Sequence, residues 1–515
     1  MLVELLILFA LMAAGLVFVV PDEYAGKFAA VLSLVPVGIS LWMYSVFEAS
    51  GNALLADSEL AFETMASWIT LGPYAVNWHV GLDGVSMPLI VLTTILTTLA
   101  IVSAWTPIDE RQSQFYGLIL FMQAALIGVF AALDFLLWFV FWEGVLVPMY
   151  FLIGVWGGPR RKYAAIKFFV YTNVASLVMF AGFFALVFGL GDSITSLGLP
   201  EIAQALNAGQ LGSVAGFGPG IVKLAAFAAL FFGFAVKVPV VPFHTWLPDA
   251  HVEAPTPVSV LLAGVLLKMG TYALLRFNFT MLADVARANA ELIAIFAVVS
   301  VIYGALLALA QKDLKRIVAY SSISSMGYVI LGLIAFTPHG LGGATFQMVS
   351  HGLISGLMFM AVGVIYNETH TRMIGDMSGM ADRMPVTAGV FVAAAFGYMG
   401  LPLMSGFAAE VLVFMGSFQS QVYASSWAAP LFTGIAMFGI VIVAGYLLRA
   451  MQMTLFGPFR LETDYDVGRA PIQDVAPLFV LLALVIALGV APDLFYTMIQ
   501  DAVVDMTALG LGGGA

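Results

Sequence analysis

Two apolar stretches, IVKLAAFAALFFGFAVKVPVVPF (221–243) and PVSVLLAGVLLKMGTYALL (257–275), each carry a lysine inside a segment long enough to cross a bilayer. Lys237 and Lys268 are therefore predicted to lie within or at the end of membrane spans. A charged side chain at the centre of a membrane helix costs about 2.5–3.5 kcal/mol on insertion scales. Lysine is rarely kept at this depth for packing, so the two stretches predict a membrane protein with an ion or proton pathway.

The composition of the whole chain supports a membrane protein. Of 515 residues, 62% are hydrophobic and 10% are charged, and the mean hydropathy is +1.02. These values are far from those of a soluble globular protein. The chain has no cysteine, which excludes disulfides and cysteine-ligated iron–sulfur clusters. The net charge of −11 gives no basic surface for nucleic acid, and no nucleotide-binding fingerprint is evident.

Apolar windows predict an all-α polytopic membrane protein with about 14 transmembrane helices, here called spans 1 to 14. The predicted spans are 2–20, 28–47, 84–105, 113–132, 135–156, 163–190, 221–243, 255–279, 290–310, 317–336, 341–366, 386–420, 430–455 and 474–494. Span 7 is interrupted at Pro239 and Pro242, and span 12 at Gly400-Leu401-Pro402. Two broken helices five spans apart predict two inverted five-helix repeats.

These spans divide the chain into four predicted units. They are N-terminal helices 1–3 (1–112), a first repeat of helices 4–8 (113–279), a second repeat of helices 9–13 (290–455), and a C-terminal loop with helix 14 (456–515). The first apolar stretch carries Glu4 instead of the basic n-region of a signal peptide. We therefore expect a retained first helix.

Basic residues are concentrated on one side of the predicted topology. Loops after odd-numbered spans, with their edges, hold fourteen of the nineteen Lys and Arg: Lys27, Arg111, Arg160, Arg161, Lys162, Lys167, Lys312, Lys315, Arg316, Arg372, Arg383, Arg449, Arg460 and Arg469. The segment 48–83 has none. The positive-inside rule then predicts cytoplasmic loops after odd spans and both termini outside.

Glu143 and Lys237 form the first candidate pair. Glu143 lies near the middle of DFLLWFVFWEGVLVPMYFLIGVW (134–156), and Pro239 and Pro242 break span 7 just beyond Lys237. Proximity of an intramembrane carboxylate to a lysine makes the protonation of both depend on their separation. The plainer alternatives are a carboxylate near an interface and a lysine that extends its head to the membrane surface.

Lys268 and His351 are the central candidates. Gly264 and Thr271 share the helix face of Lys268, so this face should point into the bundle. His351 shares a stripe with Gln347 and Ser355, and span 10 has a similar stripe of Ser321, Ser325 and Tyr328. These stripes could line a wet track. They could also be ordinary helix–helix hydrogen bonds, and Lys268 could belong to a structural ion pair.

Glu410 follows the break in span 12 within LPLMSGFAAEVLVF (401–414), at the place that matches Lys237 in span 7. A purely structural carboxylate is the alternative. The loop HTWLPDAHVEAP (244–255) superficially resembles a metal site, but its spacing fits no firm zinc motif. We therefore expect no metal there. Asp134 is predicted to be a helix N-cap.

Three segments carry a resemblance to a known family. KVPVVPFHTWLPDAHVEAPTPVSVLLAGVLLKMGTYALLRF (237–277), QKDLKRIVAYSSISSMGYV (311–329) and FWEGVLVPMYFLIG (141–154) closely resemble the antiporter-like proton-translocating subunits of respiratory complex I, NADH:quinone oxidoreductase. The resemblance covers most of spans 4 to 13. The HVEAP loop and the acidic Glu410 resemble the subunit M type, NADH dehydrogenase subunit 4.

The resemblance implies roles for five residues. Glu143 resembles the family's helix-five glutamate, Lys237 its helix-seven lysine and Lys268 its central helix-eight lysine. His351 matches a helix-eleven histidine and Glu410 the terminal acid of the proton pathway. Ser325 departs from the family, whose members often have histidine at this position, so this residue is not expected to be an essential proton carrier.

The resemblance also implies the setting of this chain. It would move protons across a bacterial inner membrane as a subunit without cofactors, while partner subunits bind NADH and quinone and carry out the redox chemistry. Its partners would be other complex I subunits, especially the two antiporter-like ones, together with the bilayer. The alternative is a subunit of a multisubunit sodium/proton antiporter. A scaffold without transport activity would not explain the aligned intramembrane charges.

Overall fold

The structure is a computed structural model that describes residues 1–56 and 58–510. The C-terminal unit predicted at 456–515 therefore has its last five residues outside the described part. Thirteen of the described helices are long and apolar enough to cross a membrane, and span 12 consists of two shorter apolar helices. The described chain is thus a polytopic helical bundle with the fourteen predicted spans.

Most spans begin and end close to their predicted limits, but span 7 continues to Glu253, beyond its predicted end at 243, because the chain resumes a helix after the prolines. Spans 1 to 6 are Leu2–Phe18, Asp22–Ser45, Ser86–Ser103, Gln112–Ala131, Phe135–Gly144 with Leu146–Trp156, and Arg161–Leu190. Spans 7 to 9 are Pro219–Lys237 with Trp246–Glu253, Thr256–Met281, and Ala290–Leu309. Spans 10 to 14 are Leu314–Ile334, Pro338–Thr369, Pro385–Tyr398 with Ser405–Phe418, Ala428–Thr454, and Ile472–Val490.

Shorter elements connect the spans. Short α-helices are Leu199–Asn207, Ala283–Ala288, Met380–Arg383 and Asp493–Val504, and 3₁₀ turns are Gly191–Ser193 and Asp505–Ala508. Two antiparallel β-pairs join Ala61–Leu71 to Tyr74–Leu82 and Met377–Ser378 to Arg460–Leu461. The first pair is a hairpin in the loop between spans 2 and 3.

Local sequence explains where several spans begin. Asp134 caps span 5 by accepting hydrogen bonds from the backbone N–H groups of Leu136 and Leu137, which confirms the N-cap prediction. Asp313 caps span 10 in the same way. Proline occupies the first turn of span 7, where its missing N–H would have no intrahelical partner.

The breaks in spans 7 and 12 lie where they were predicted. Span 7 stops at Lys237 and resumes at Trp246, and Pro239 and Pro242 fall in the gap. In span 12 the chain turns at Gly400, whose φ of +62° is accessible to glycine without strain. An offset of five spans makes the two broken helices run in opposite directions, as inverted repeats require. The repeat limits at 113–279 and 290–455 stay a prediction.

The bundle has a fully buried centre. The apolar windows of spans 8 and 11 are wholly buried and that of span 10 nearly so, whereas spans 1, 2, 13 and 14 are largely exposed. Polar side chains on the three central spans therefore face protein and not lipid. Span 8 also contains two π-helical segments, Leu262–Leu266 and Leu274–Met281, which flank the turn that carries Lys268.

The connecting segments gather at two opposite ends. At the hairpin end, the hairpin contacts the loops before span 5 and after span 6. Met1 and Leu509 lie at the same end. The basic end contains the loops after odd-numbered spans, among them the contact of Leu314 with Arg372 and the pairing of 377–378 with 460–461. The concentration of Lys and Arg on one side is thus a property of the folded chain.

Candidate functional site

Lys237 is the last residue of the first half of span 7 and is completely buried. Its ammonium lies 4.8 Å from the centroid of the Trp142 ring on span 5. Its Nζ has no hydrogen-bond partner among the residues that the structure describes. A desolvated cation–π contact contributes about 2 kcal/mol or more, so Trp142 holds the lysine in a site where it lacks a stronger partner.

Glu143 follows Trp142 directly and lies half-buried beside the same site. Its carboxylate acts electrostatically on Lys237, but within the described chain neither Lys237 Nζ nor Glu143 Oε1 has a hydrogen-bond partner. Span 5 stays helical across Val145, whose backbone is right-handed α and whose N–H bonds to the carbonyl oxygen of Phe141. The predicted pair is therefore brought together without a closed contact, on a helix in which Pro148 leaves the carbonyl oxygen of Gly144 without its usual donor.

Lys268 and His351 form a direct contact at the centre of the bundle. Lys268 Nζ lies 2.7 Å from His351 Nδ1 and donates to the carbonyl oxygen of Ala263 at 2.6 Å. Ala263 belongs to the π-helical segment of span 8, where irregular hydrogen bonding makes its carbonyl oxygen accessible to the ammonium. Both side chains are at most 1% exposed. The prediction that Lys268 points into the bundle is confirmed.

Two glycines allow the close approach of spans 8 and 11. A Cβ placed on Gly352 would lie 2.8 Å from the carbonyl oxygen of Gly264, and one on Gly264 would lie 2.6 Å from Leu96 Cδ1. Gly352 is the residue after His351, and Gly264 lies one turn before Lys268. The small residues therefore set the distance across which the lysine reaches the histidine.

Glu410 lies in the second half of span 12 and is 5% exposed. Its carboxylate packs against Gly400 so closely that a Cβ at residue 400 would collide with Oε2. Within the described residues Oε2 has no hydrogen-bond partner. The break in span 12 thus places a buried carboxylate against an irregular backbone turn, as the break in span 7 does with Lys237.

Two tyrosines that the sequence analysis did not single out lie near His351 and Glu410, and in the described chain neither hydroxyl has a hydrogen-bond partner. The ring of Tyr398 packs edge-on against His351, with centroids 5.8 Å apart. Its hydroxyl lies beside Ser321 of the predicted serine stripe. Tyr446 lies beside the same serine and within electrostatic range of Glu410. Tyrosine is common in apolar spans, so the sequence offered only a weak signal for these positions.

His251 is a third residue that the sequence analysis left out of the pathway. It is completely buried, and its ring stacks on Phe359 with centroids 4.5 Å apart. Neither ring nitrogen has a hydrogen-bond partner within the described part of the chain. It lies within electrostatic range of Lys268 and Lys315. The histidine therefore extends the polar centre towards the basic end.

The second half of span 7 is held at the basic end by its acidic side chains. Asp249 accepts from Lys167 of span 6 at 2.7 Å and from Arg316 of span 10 at 3.1 Å. Glu253 accepts from the backbone N–H of Arg160 at 2.8 Å. Asp249 thus joins the two halves of the protein through the second half of span 7.

The structure does not join all predicted residues into one chain of contacts. Spans 7 and 8 are adjacent, since a Cβ on Gly270 would lie 3.1 Å from Lys237 Cβ. Within residues 1–56 and 58–510, however, no side-chain hydrogen bond links Lys237 to Lys268. The site therefore consists of a Glu143–Lys237 cluster and a polar line that runs from Lys268 to Glu410.

Comparison with known proteins gives consistent matches over the whole chain. The family described as NADH:quinone oxidoreductase/Mrp antiporter, TM, matches residues 132–436. F(420)H(2) dehydrogenase subunit M of Methanosarcina mazei is 40% identical and covers 99% of each chain. NAD(P)H-quinone oxidoreductase chain 4 3 of Trichormus variabilis is 41% identical over 91% of this chain and 83% of that protein.

Solved structures show the same architecture. A chain of respiratory complex I from Thermus thermophilus with bound NADH superposes with a TM-score of 0.85 at 26% identity and covers 100% of both chains. A chain of the Mrp complex from Dietzia sp. superposes with a TM-score of 0.82 at 19% identity, covering 99% of this chain and 98% of that one. The second likeness concerns the fold alone.

Proposed function

This chain belongs to the NADH:quinone oxidoreductase/Mrp antiporter family, and we propose that it is a proton-translocating membrane subunit of a complex of the complex I type. The observation that carries the proposal is the buried contact between Lys268 and His351. Glu410 lies beyond this contact on one side, and the Lys237 site lies next to it on the other. Buried ionisable residues that face the interior of a membrane bundle are typical of proton relays.

The chain itself would carry no redox cofactor. It has no cysteine to ligate an iron–sulfur cluster, and all five pathway residues are acids, bases or proton carriers. NADH oxidation and quinone reduction would take place on partner subunits. The contribution of this subunit would be to move protons when those reactions change its conformation.

The first step would occur at Lys237. In the structure its ammonium rests on the Trp142 ring and not on the Glu143 carboxylate. Movement of Glu143 towards Lys237 stabilises the ammonium, and movement away favours release of the proton. Pro148 leaves the carbonyl oxygen of Gly144 without its usual i+4 donor, which would ease this movement of the helix beside Glu143.

The second step would carry the proton through the second half of the protein. Water would bridge Lys237 to Lys268, where the side chains leave a gap. Lys268 would then pass a proton to His351 Nδ1, and the imidazole would release one from Nε2 towards Tyr398, Ser321 and Glu410. Charges in a poorly polarisable interior affect one another strongly, which couples these groups.

The two ends of the fold support a direction of transport. Under the positive-inside rule the basic end would lie in the cytoplasm and the hairpin end outside a bacterial inner membrane. Both Met1 and Leu509 would then lie outside. Protons would enter from the basic end, where His251 and Lys315 lie, and would leave near Glu410 on the outer side.

Membership of a larger complex defines the expected partners. We propose that the chain assembles with other complex I subunits, especially the two antiporter-like ones, within the bilayer. The alternative, a subunit of a multisubunit sodium/proton antiporter, is supported by the shared fold with the Mrp complex chain. The higher identity to quinone oxidoreductase chain 4 over nearly the full length supports the first proposal.

Purification of a tagged chain from its native membrane tests the assembly. We expect it to co-purify with flavin, iron–sulfur clusters and piericidin-sensitive NADH:quinone activity. Co-purification with small membrane subunits alone, without any redox centre, would contradict the proposal and support the antiporter. If the purified redox complex oxidised F420H2 but not NADH, only the identity of the electron donor would be contradicted. The proposed assembly with a redox complex would stand.

A further inference from the structure

A groove at the basic end lies where spans 12 and 14 begin. It has a volume of about 430 Å³ and is lined by Arg383, Met384, Pro385, Val386, Thr387, Arg469, Ala470, Ile472 and Val475. The starts of two adjacent spans form its walls, so it lies at the level where the bilayer meets water. Its position is remote from the residues of the proton pathway.

Two arginines give the groove a positive charge. Arg383 and Arg469 are both exposed, and neither forms an ion pair among the residues that the structure describes. The guanidinium of Arg383 lies 4.4 Å from the centroid of the Phe459 ring, which fixes its place at the rim. Arginine binds phosphate oxygens through two parallel N–H groups, so this pair is suited to a phosphate.

The carboxylates nearest in sequence do not neutralise the two arginines. Asp474 is buried and accepts from Thr106 at 2.6 Å, so its carboxylate is already engaged elsewhere. Asp382 precedes Arg383 but does not line the groove. Asp466 and Glu368, which lie near Arg469 in sequence and in space respectively, do not line it either. The lining residues therefore include two cations and no acid.

The two helix starts add further donors. Span 12 begins at Pro385 and span 14 at Ile472, and neither has a side-chain cap. The backbone N–H groups of a first helical turn lack intrahelical partners and favour a negative charge in front of them. The first turn of span 14 already contains Asp474, so it is the start of span 12 that reinforces the attraction of the arginines for an anion.

The walls of the groove are apolar and continue towards the membrane. Val386 is 49% exposed and Ile472 is 80% exposed, although both belong to membrane spans. A small inorganic anion would leave these side chains uncovered. A ligand with a negatively charged head and hydrocarbon chains would satisfy the arginines and cover the apolar surface at once.

We propose that this groove binds the headgroup of an anionic phospholipid, with its phosphate on Arg383 and Arg469 and its acyl chains along Val386 and Ile472. The occupant would help to anchor the start of span 12 beside span 14. The proposal concerns the lipid boundary of the protein and does not depend on the proton pathway.

Native mass spectrometry of the purified complex, titrated with lipid, tests this proposal. Phosphatidylglycerol is the anionic probe, phosphatidylcholine the zwitterionic one, and inorganic phosphate the competitor without acyl chains. We expect one phosphatidylglycerol to bind at this site in preference to phosphatidylcholine. The double variant Arg383→Gln/Arg469→Gln loses two charge-assisted contacts to the phosphate. The affinity of this variant for phosphatidylglycerol should therefore fall by about tenfold or more.

A second double variant controls for the loss of charge. Arg111→Gln/Arg160→Gln removes two exposed arginines from the same end of the protein but away from the groove. This variant should keep wild-type binding of phosphatidylglycerol. Equal binding of the two lipids, equal losses in both double variants, or full displacement by inorganic phosphate would each overturn the proposal. The proposal would also be overturned if a neighbouring subunit covered the groove and no lipid were bound there.

Discussion

Lys268 Nζ lies 2.7 Å from Nδ1 of His351, and the other ring nitrogen of this histidine has no hydrogen-bond partner in the described chain. A lysine that donates to Nδ1 requires the neutral imidazole to carry its proton on Nε2. A proton received at Nδ1 can therefore be passed on from Nε2 to the next acceptor. The imidazole then holds its proton on Nδ1, so each further transfer requires the ring to rotate or a proton to return to Nε2.

Replacement of His351 tests this relay. In His351→Gln the side chain keeps polar atoms but cannot accept and release a proton, so we expect coupled turnover to fall at least about tenfold. Quinone-linked activity and proton movement are measured in the assembled complex. His339→Gln, a half-buried histidine at the start of the same span, should retain both. Unchanged proton movement in an assembled His351→Gln complex would contradict the relay.

The crossing of spans 8 and 11 should tolerate no side chain at residue 352. A Cβ there would lie 2.8 Å from the backbone oxygen of Gly264, so Gly352→Ala must separate the two spans. We expect a destabilisation of about 1–3 kcal/mol and reduced turnover. Gly389→Ala in span 12 meets nothing within 4 Å and is the matched control. Equal thermal stability and activity of the two variants would show that the crossing does not depend on glycine.

Proton transport should require the exchangeable proton of Glu410 and not merely the size of its side chain. Glu410→Gln keeps the size of the side chain against Gly400 but cannot exchange a proton. We expect normal assembly with loss of most coupled turnover, measured as in the histidine experiment. Glu23→Gln, at an exposed position on span 2, should behave as wild type. Full activity of Glu410→Gln would remove this residue from the pathway.

Asp83, in the loop before span 3, should make stability depend on pH. Burial alone would raise the pKa of Asp83, but Arg276 at 2.6 Å and the N–H groups of Ala53 and Ser86 hold it below its ordinary value. A lowered pKa stabilises the folded state above the ordinary value of 3.8, and this contribution disappears as the pH falls through the folded-state pKa.

Asp83→Asn measures that contribution. Breaking a buried ion pair costs about 3–5 kcal/mol, so the variant should unfold at a clearly lower temperature at neutral pH. The difference from wild type should shrink in acid, where Asp83 becomes protonated. The exposed Asp466→Asn is the control and should show no shift. A constant difference at every pH would mean that the charge of Asp83 is not the cause.

The sequence predicted the spans because bilayer thickness imposes a length on each apolar run. It also predicted the two breaks, since proline and glycine interrupt spans 7 and 12 in apolar surroundings where interruptions are costly. The π-helical turns around Lys268 could not be predicted. They arise from packing between helices and have no distinctive local residues.

The site was predicted as a set of residues but not as an arrangement. Charged residues such as Lys268 are conspicuous in an apolar span, whereas Tyr398 and Tyr446 are not. His251 was assigned to a loop because prolines surround it, yet the second half of span 7 carries it into the buried centre. Helix crossings such as that of Gly264 and Gly352 determine which ionisable groups touch. Such crossings are contacts between residues far apart in sequence, so local sequence patterns do not predict them.

The most direct test of proton translocation is Lys237→Ala in the assembled complex, reconstituted into proteoliposomes with NADH and quinone. Proton movement and quinone reduction are measured together, and Lys162→Ala, an exposed lysine at the basic end, is the control. Loss of most pumping-linked turnover in Lys237→Ala, with normal activity in the control, is the predicted result. Normal pumping by an assembled Lys237→Ala complex would contradict the proposed function of this lysine.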